Sequence, residues 1–203
     1  MQIKIYMVGS IGTNCYLVWD EVSREAMLID PGDYDKKIDN QIKENGLILK
    51  YIVLTHGHYD HVLGVDTFLE KNPDAEYIAS KADVYMIKTA KPERYLVEGD
   101  VIELGELSFK VLETPGHTKG GLSFYIPHDI SYSGQHFSGF VFTGDTLFNT
   151  SIGRTDMEGG DFGTLIESIK SKLFSLPDDT LVFPGHMDPT TIAIEKKFNP
   201  FVK

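Results

Sequence analysis

The stretch Leu54-Thr55-His56-Gly57-His58-Tyr59-Asp60-His61 constrains this chain more than any other, because it sets four potential metal ligands within six residues. The apolar run Tyr51-Ile52-Val53-Leu54 before it reads as a buried strand, and Val62, Val65, Phe68 and Leu69 after it recur at helical spacing. The ligands therefore belong to a strand-to-helix loop. On an extended backbone, side chains two residues apart point the same way, so His56, His58 and Asp60 are expected to face one side. His61 opens the helix and turns toward a neighbouring point. One loop of this kind can feed two adjacent ions.

Composition limits what surrounds the loop. At 203 residues, 41% hydrophobic and 24% charged, the chain is long enough for one well-buried domain and short for two, so residues 1–203 are read as a single domain. The formal net charge is −11 and no Lys/Arg cluster exceeds two residues, which argues against nucleic acid as a partner. The single Cys15 excludes an intrachain disulfide and argues for a reducing compartment. It lies in Cys15-Tyr16-Leu17-Val18-Trp19 and reads as a core side chain with no catalytic role. There is no basic leader followed by a long apolar core and no apolar run near about 18 residues, so a soluble, cytoplasmic protein without a membrane partner is expected.

In chain order, Ile3, Ile5 and Met7 alternate as a first strand, followed by strands over Asn14–Trp19 and Ala26–Ile29 in an antiparallel meander. Asp30-Pro31-Gly32 ends it abruptly. Tyr34, Ile38 and Ile42 predict a helix stopped near Gly46. After the ligand loop come a strand over Ala75–Ala79, a helix from Lys81 to Ile87 capped by Ser80, and a surface loop over Lys88–Glu98. Strands are expected over Val101–Leu104, Leu107–Leu112, Leu122–Ile126 and Phe140–Thr143, with Pro127–Gly139 as an excursion carrying exposed His128 and His136. Phe162, Leu165, Ile166, Ile169 and Leu173 trace a helix capped by Asp161. A last strand, Leu181–Phe183, precedes a closing helix through Lys197 capped by Thr190 or Thr191. Two sheets with helices outside would bury both strand sets.

Three isolated residues share one context: His117 after Thr114-Pro115-Gly116, Asp145 after Thr143-Gly144, and His186 after Pro184-Gly185. Each follows a strand, and each is preceded by a glycine that permits a sharp turn. With the first loop, five of the seven histidines fall to one site.

The pattern HxHxDH followed by His117, Asp145 and His186 resembles the metallo-beta-lactamase superfamily. Thr-Asn-Cys-Tyr-Leu at 13–17, Gly-Asp-Thr-Leu-Phe at 144–148, Ser-Ile-Gly-Arg-Thr-Asp at 151–156 and Pro-Thr-Thr-Ile at 189–192 are similar to its glyoxalase II group of thioester hydrolases. The chain stops at Phe201-Val202-Lys203, so the likeness is to that group without its C-terminal helical region, and glutathione specificity is not implied.

The resemblance implies an α/β fold, a four-layer αββα sandwich, with a two-metal site. His56, His58 and His117 would hold one ion, Asp60, His61 and His186 the other, and Asp145 would bridge. Imidazoles with carboxylates suit zinc, with iron or manganese also fitting. Two ions about 3.5–4 Å apart would acidify a shared water for attack on a small-molecule thioester or related ester, with Asp60 and Asp145 orienting it and accepting its proton. Asp30 reads either as a residue orienting a ligand histidine or as a plain turn former. Arg154 reads either as a contact for the carboxylate of an acidic thiol carrier or as a surface ion-pair residue. A lactonase or other metallohydrolase would use the same ligands. A mononuclear iron sulfur dioxygenase would need only His56, His117 and Asp145. Seven ligands exceed the four that close a purely structural metal site.

Overall fold

The computed structural model describes residues 1–203, which divide into two compact units, Met1–Leu96 with Ile102–Ser108 and Val97–Val101 with Phe109–Lys203. The first sheet is built from β1 (Gln2–Val8), β2 (Thr13–Trp19), β3 (Glu25–Ile29), β4 (Ile48–Val53), β5 (Glu76–Ser80) and β6 (Arg94–Leu96), in that order. The first three strands form the expected antiparallel meander, and β3 to β6 run parallel. Every residue of β2 is buried, as expected of a strand covered on both faces. Cys15, Leu17 and Trp19 pack with Leu28, Ile52 and Tyr77 against α1 (Lys36–Glu44), α2 (Tyr59–Val62) and α3 (Val65–Lys71), through Ile38, Val62 and Phe68. Burial, and secondarily the charge of Asp30, pushes the Cys15 thiol well above its ordinary range, so it stays protonated in the core.

Two expectations for this unit are corrected. The segment after Ser80 is a three-residue 3₁₀ turn, Lys81–Asp83, rather than a helix to Ile87. Its following bonds run Met86 N to Asp83 O and Ile87 N to Val84 O, the tighter three-residue step. The Lys88–Glu98 loop contains β6, an edge strand paired to β5 with Leu96 buried.

The second sheet contains β7 (Val101–Leu104), β8 (Leu107–Glu113) and β9 (Leu122–Ile126). The 127–139 excursion is itself a hairpin, β10 (Ile130–Tyr132) and β11 (Gln135–Phe137), with His128 and His136 exposed. The chain returns as β12 (Phe140–Gly144), a small hairpin of β13 (Leu147–Phe148) and β14 (Ser151–Ile152), then β15 (Leu181–Pro184) and β16 (Thr190–Thr191). The sheet order is β16-β15-β12-β9-β8-β7. Phe140, Phe142 and Phe183 cluster on one face, the last two stacked at 5.3 Å. On the other face Leu112, Val141 and Val182 meet α4 (Phe162–Ser168), the π-helical turn Ile169–Leu173 that continues it, and α5 (Ile192–Phe198). Leu165, Ile169 and Leu173 are buried as expected, whereas Phe162 is exposed in the first turn. Asp161 and Thr191 cap α4 and α5 through Thr164 N and Ile194 N. No helix is long and apolar enough to cross a membrane.

Candidate functional site

Three adjacent parallel strands deliver the chemistry of the first unit. Asp30 follows the end of β3, Thr55 to Gly57 follow β4, and Asp83 lies just beyond β5, at the carboxyl ends where open α/β sheets place ligands. His58 has extended backbone and caps α2, and His61 N bonds to His58 O at 3.0 Å. Asp60 therefore lies inside the helical turn beside His61, not on an extended run with His56 and His58 as the alternation predicted. The closed turn is held from outside by Gly32, where an added Cβ would sit 1.8 Å from the Asp60 carbonyl oxygen.

Asp30 both holds a histidine and makes a turn. Its Oδ1 accepts from Thr55 N at 2.7 Å, and its Oδ2 accepts from Thr55 Oγ1 at 2.6 Å and from His61 Nδ1 at 2.9 Å. It is a turn residue as well, at φ +51°. Because Thr55 donates to Asp30, its oxygen accepts at 3.0 Å from His56 Nδ1. One buried carboxylate thus fixes the Nδ1–H tautomer of both His56 and His61 and leaves Nε2 as the lone-pair nitrogen of each. Asp83 Oδ2 accepts from Gly57 N at 3.0 Å, and Thr13 Oγ1 donates to Asp60 Oδ2 at 3.0 Å.

In the second unit β8, β12 and β15 all run in one direction, since β8 and β12 are each antiparallel to β9 and β12 is parallel to β15. His117, Asp145 and His186 follow those three ends. Gly116 at φ +129° and Gly144 at φ +48° make the expected turns, but the third left-handed residue is Met187, at φ +69°, and not Gly185. His117 Nδ1 donates to the Arg154 carbonyl at 2.7 Å, which again leaves Nε2 as the acceptor nitrogen. An added Cβ at Gly153 would sit 1.8 Å from the Asp145 carbonyl oxygen and 3.0 Å from His117 Nδ1, so the Gly153 backbone packs directly against both the Asp145 turn and the His117 ring. The Arg154 guanidinium grips Asp156 at 2.7 and 2.8 Å on the surface, and that hydrogen-bonded pairing holds the Asp156 carboxyl down to about 2.

The donor set fits a metal. His61 Nε2 lies 3.3 Å from Asp60 Oδ2, and Asp145 Oδ2 lies 3.5 Å from His117 Nε2 and 3.6 Å from His186 Nε2. For His61 and His117 this tautomer turns a lone pair toward the carboxylate, an approach that a cation held between the two would make favourable. Bonds of about 2.0–2.2 Å in a tetrahedron put neighbouring donor atoms roughly 3.3–3.6 Å apart.

Sequence reading missed Thr13, Thr55, Asp83 and the Arg154 carbonyl. Thr13 stood in a recognised motif without a role, and a carbonyl leaves no side-chain signal.

Residues 8–186 match the family model of the metallo-beta-lactamase superfamily. Over 218 aligned residues the chain is 37% identical to the hydroxyacylglutathione hydrolase GloC of Haemophilus influenzae, covering 100% of this chain and 98% of that protein. It is similar in structure to BLEG-1, a B3 metallo-beta-lactamase, with TM-score 0.88, 32% identity and 99% of each chain covered. It is also similar to TTHA1623 in a di-iron-bound form, with TM-score 0.80, 36% identity and 98% and 99% covered.

Proposed function

The chain belongs to the metallo-beta-lactamase superfamily, as a metallo-hydrolase of that α/β fold, and from that premise we propose that it is a thioester hydrolase of the hydroxyacylglutathione hydrolase type. The observation that carries this reading is the 37% identity to such an enzyme along the whole chain. Residues 1–203 are proposed to act as one catalytic domain, in keeping with a single family model that runs over 8–186.

His56, His58 and His117 are proposed to hold one divalent ion, Asp60, His61 and His186 a second, and Asp145 to bridge. The nearly equal approach of His117 and His186 to one oxygen of Asp145 supports the bridging role. Zinc is the proposed metal on the chemistry of the donors, and the di-iron relative supports iron as the other occupant. When bound, such ions would lower the pKa of a metal-held water toward about 7 and would stabilise negative charge on a carbonyl oxygen.

The chain's own residues do the positioning. Asp30 and the Arg154 carbonyl hold the imidazoles in the metal-binding tautomer, and Thr13 fixes one oxygen of Asp60. Asp60 and Asp145 orient the attacking water and take its proton. The water oxygen bonds to the acyl carbon, the carbon–sulfur bond breaks, and the products are a carboxylic acid and a thiol. A thiolate leaves without a strong general acid, so no further acidic residue is needed. Arg154 is proposed to meet a carboxylate of the thiol carrier. Releasing Asp156 costs it little, since an ion pair this exposed is weakened by water and salt.

The test is turnover of S-lactoylglutathione by metal-loaded protein, with Asp145→Asn beside it. A kcat/KM on the order of 10⁵ M⁻¹s⁻¹, lost together with bound metal in the variant, is the expected result. Likeness to BLEG-1 favours a β-lactam as the second substrate class. Faster cleavage of a chromogenic cephalosporin than of any thioester would replace the first reading with that one.

A further inference from the structure

A cavity of about 480 Å³ adjoins the ligand loop of the first unit, within the usual range of small-molecule pockets. Gly57 and His58 form part of its wall, and Tyr59, Val62, Leu63 and Met86 supply an apolar lining. Lys88, Thr89 and Asp66 add polar groups. The segment bearing Met86, Lys88 and Thr89 is tied at both ends. Asp83 accepts from Gly57 N at 3.0 Å, and Ala90 N donates to Asp66 Oδ1 at 2.7 Å. The first of these bonds also holds the His56–His61 loop.

Tyr59 is 58% and Leu63 56% exposed, on the very turn that carries Asp60 and His61. Together with Val62 and Met86, Tyr59 and Leu63 make an apolar wall, the kind of surface that suits an apolar ligand. His58 belongs to both the lining and the proposed metal-ligand set, so a group bonded to the reacting carbonyl can extend into the cavity. Tyr59, Val62, Leu63 and Met86 suit an apolar acyl chain better than glutathione, whose charged groups only Lys88 and Asp66 could meet.

We propose that this cavity receives the acyl chain, and that the preferred substrate carries an apolar chain longer than acetyl. The inference rests on the thioesterase reading and narrows its substrate class. Each methylene buried there should raise kcat/KM about fourfold.

The experiment measures kcat/KM for acetyl, butyryl and hexanoyl thioesters of glutathione with the metal-loaded full chain. In parallel, the ¹³C-labelled Met86 methyl resonance is followed during titration with hexanoate and with acetate. Expected are a stepwise rise with chain length and a Met86 shift with hexanoate but not acetate. Leu63→Glu, at an exposed position that should tolerate the change, should lower the hexanoyl-to-acetyl ratio at least tenfold. A flat chain-length profile, a profile that persists in Leu63→Glu, or a silent Met86 overturns the proposal even if every thioester is cleaved. Absence of thioester turnover with the hexanoate shift intact would retire the thioesterase reading and leave the cavity an apolar-chain site.

Discussion

In the first unit four ligand-type residues occupy six consecutive positions, and side-chain carboxylates hold them: Asp30 takes Thr55 and His61 directly and His56 through Thr55, while Asp83 takes the Gly57 amide. In the second unit three single residues follow three separate strands, and the main chain holds one of them, with the Arg154 carbonyl on His117. Each unit also keeps one non-glycine residue in the left-handed region beside its ligands, Asp30 at φ +51° and Met187 at φ +69°. Asp30 uses its side chain there, whereas the Met187 side chain is 57% exposed. His56 and His61 of the first loop depend on one buried carboxylate, Asp30. His117 depends on a backbone oxygen that no side-chain substitution removes.

Asp30→Asn should bring the largest effect. Asparagine tolerates the backbone and the volume but cannot accept from Thr55 and His61 as the carboxylate does, so two histidines lose their fixed tautomer. Metal affinity should fall about 10–100-fold, measured by competition with a chromophoric chelator. A loss under threefold would break the contrast between the units. Met187→Gly comes next. Relief of left-handed strain, about 1–2 kcal/mol, is partly offset by the greater freedom of glycine in the unfolded chain. A net gain of about 0.5–1 kcal/mol should raise Tm by roughly 1–4 °C, read by calorimetry with metal content unchanged. A lower Tm would mean that the Met187 side chain contributes more than its backbone strain costs. Arg154→Gln should bring the smallest change in metal affinity, within about twofold, because the carbonyl stays. A tenfold loss would show that the guanidinium, and not the main chain, supports His117.

The HxHxDH loop, the strands before each ligand and the helix caps were legible because each is written in a few neighbouring residues. What escaped is long-range. Thr13 and Asp60 lie 47 positions apart, and Asp83 and Gly57 26 apart. The helix expected from Lys81 gives way to a short turn whose Asp83 carboxylate holds the ligand loop. β6 is only three residues long in a polar stretch, and its pairing to β5 defines it more than its composition does.

The two glycines pressed against carboxylate-bearing turns, Gly32 on Asp60 and Gly153 on Asp145, bear on how this scaffold could be re-engineered. At either position even a methyl group would collide with a backbone oxygen at 1.8 Å, so the turn would have to shift and carry its carboxylate along. A mutant library aimed at new substrates should therefore freeze both glycines and randomise Tyr59, Leu63 and Met86. Those three positions line the proposed acyl cavity, and neither glycine is among them.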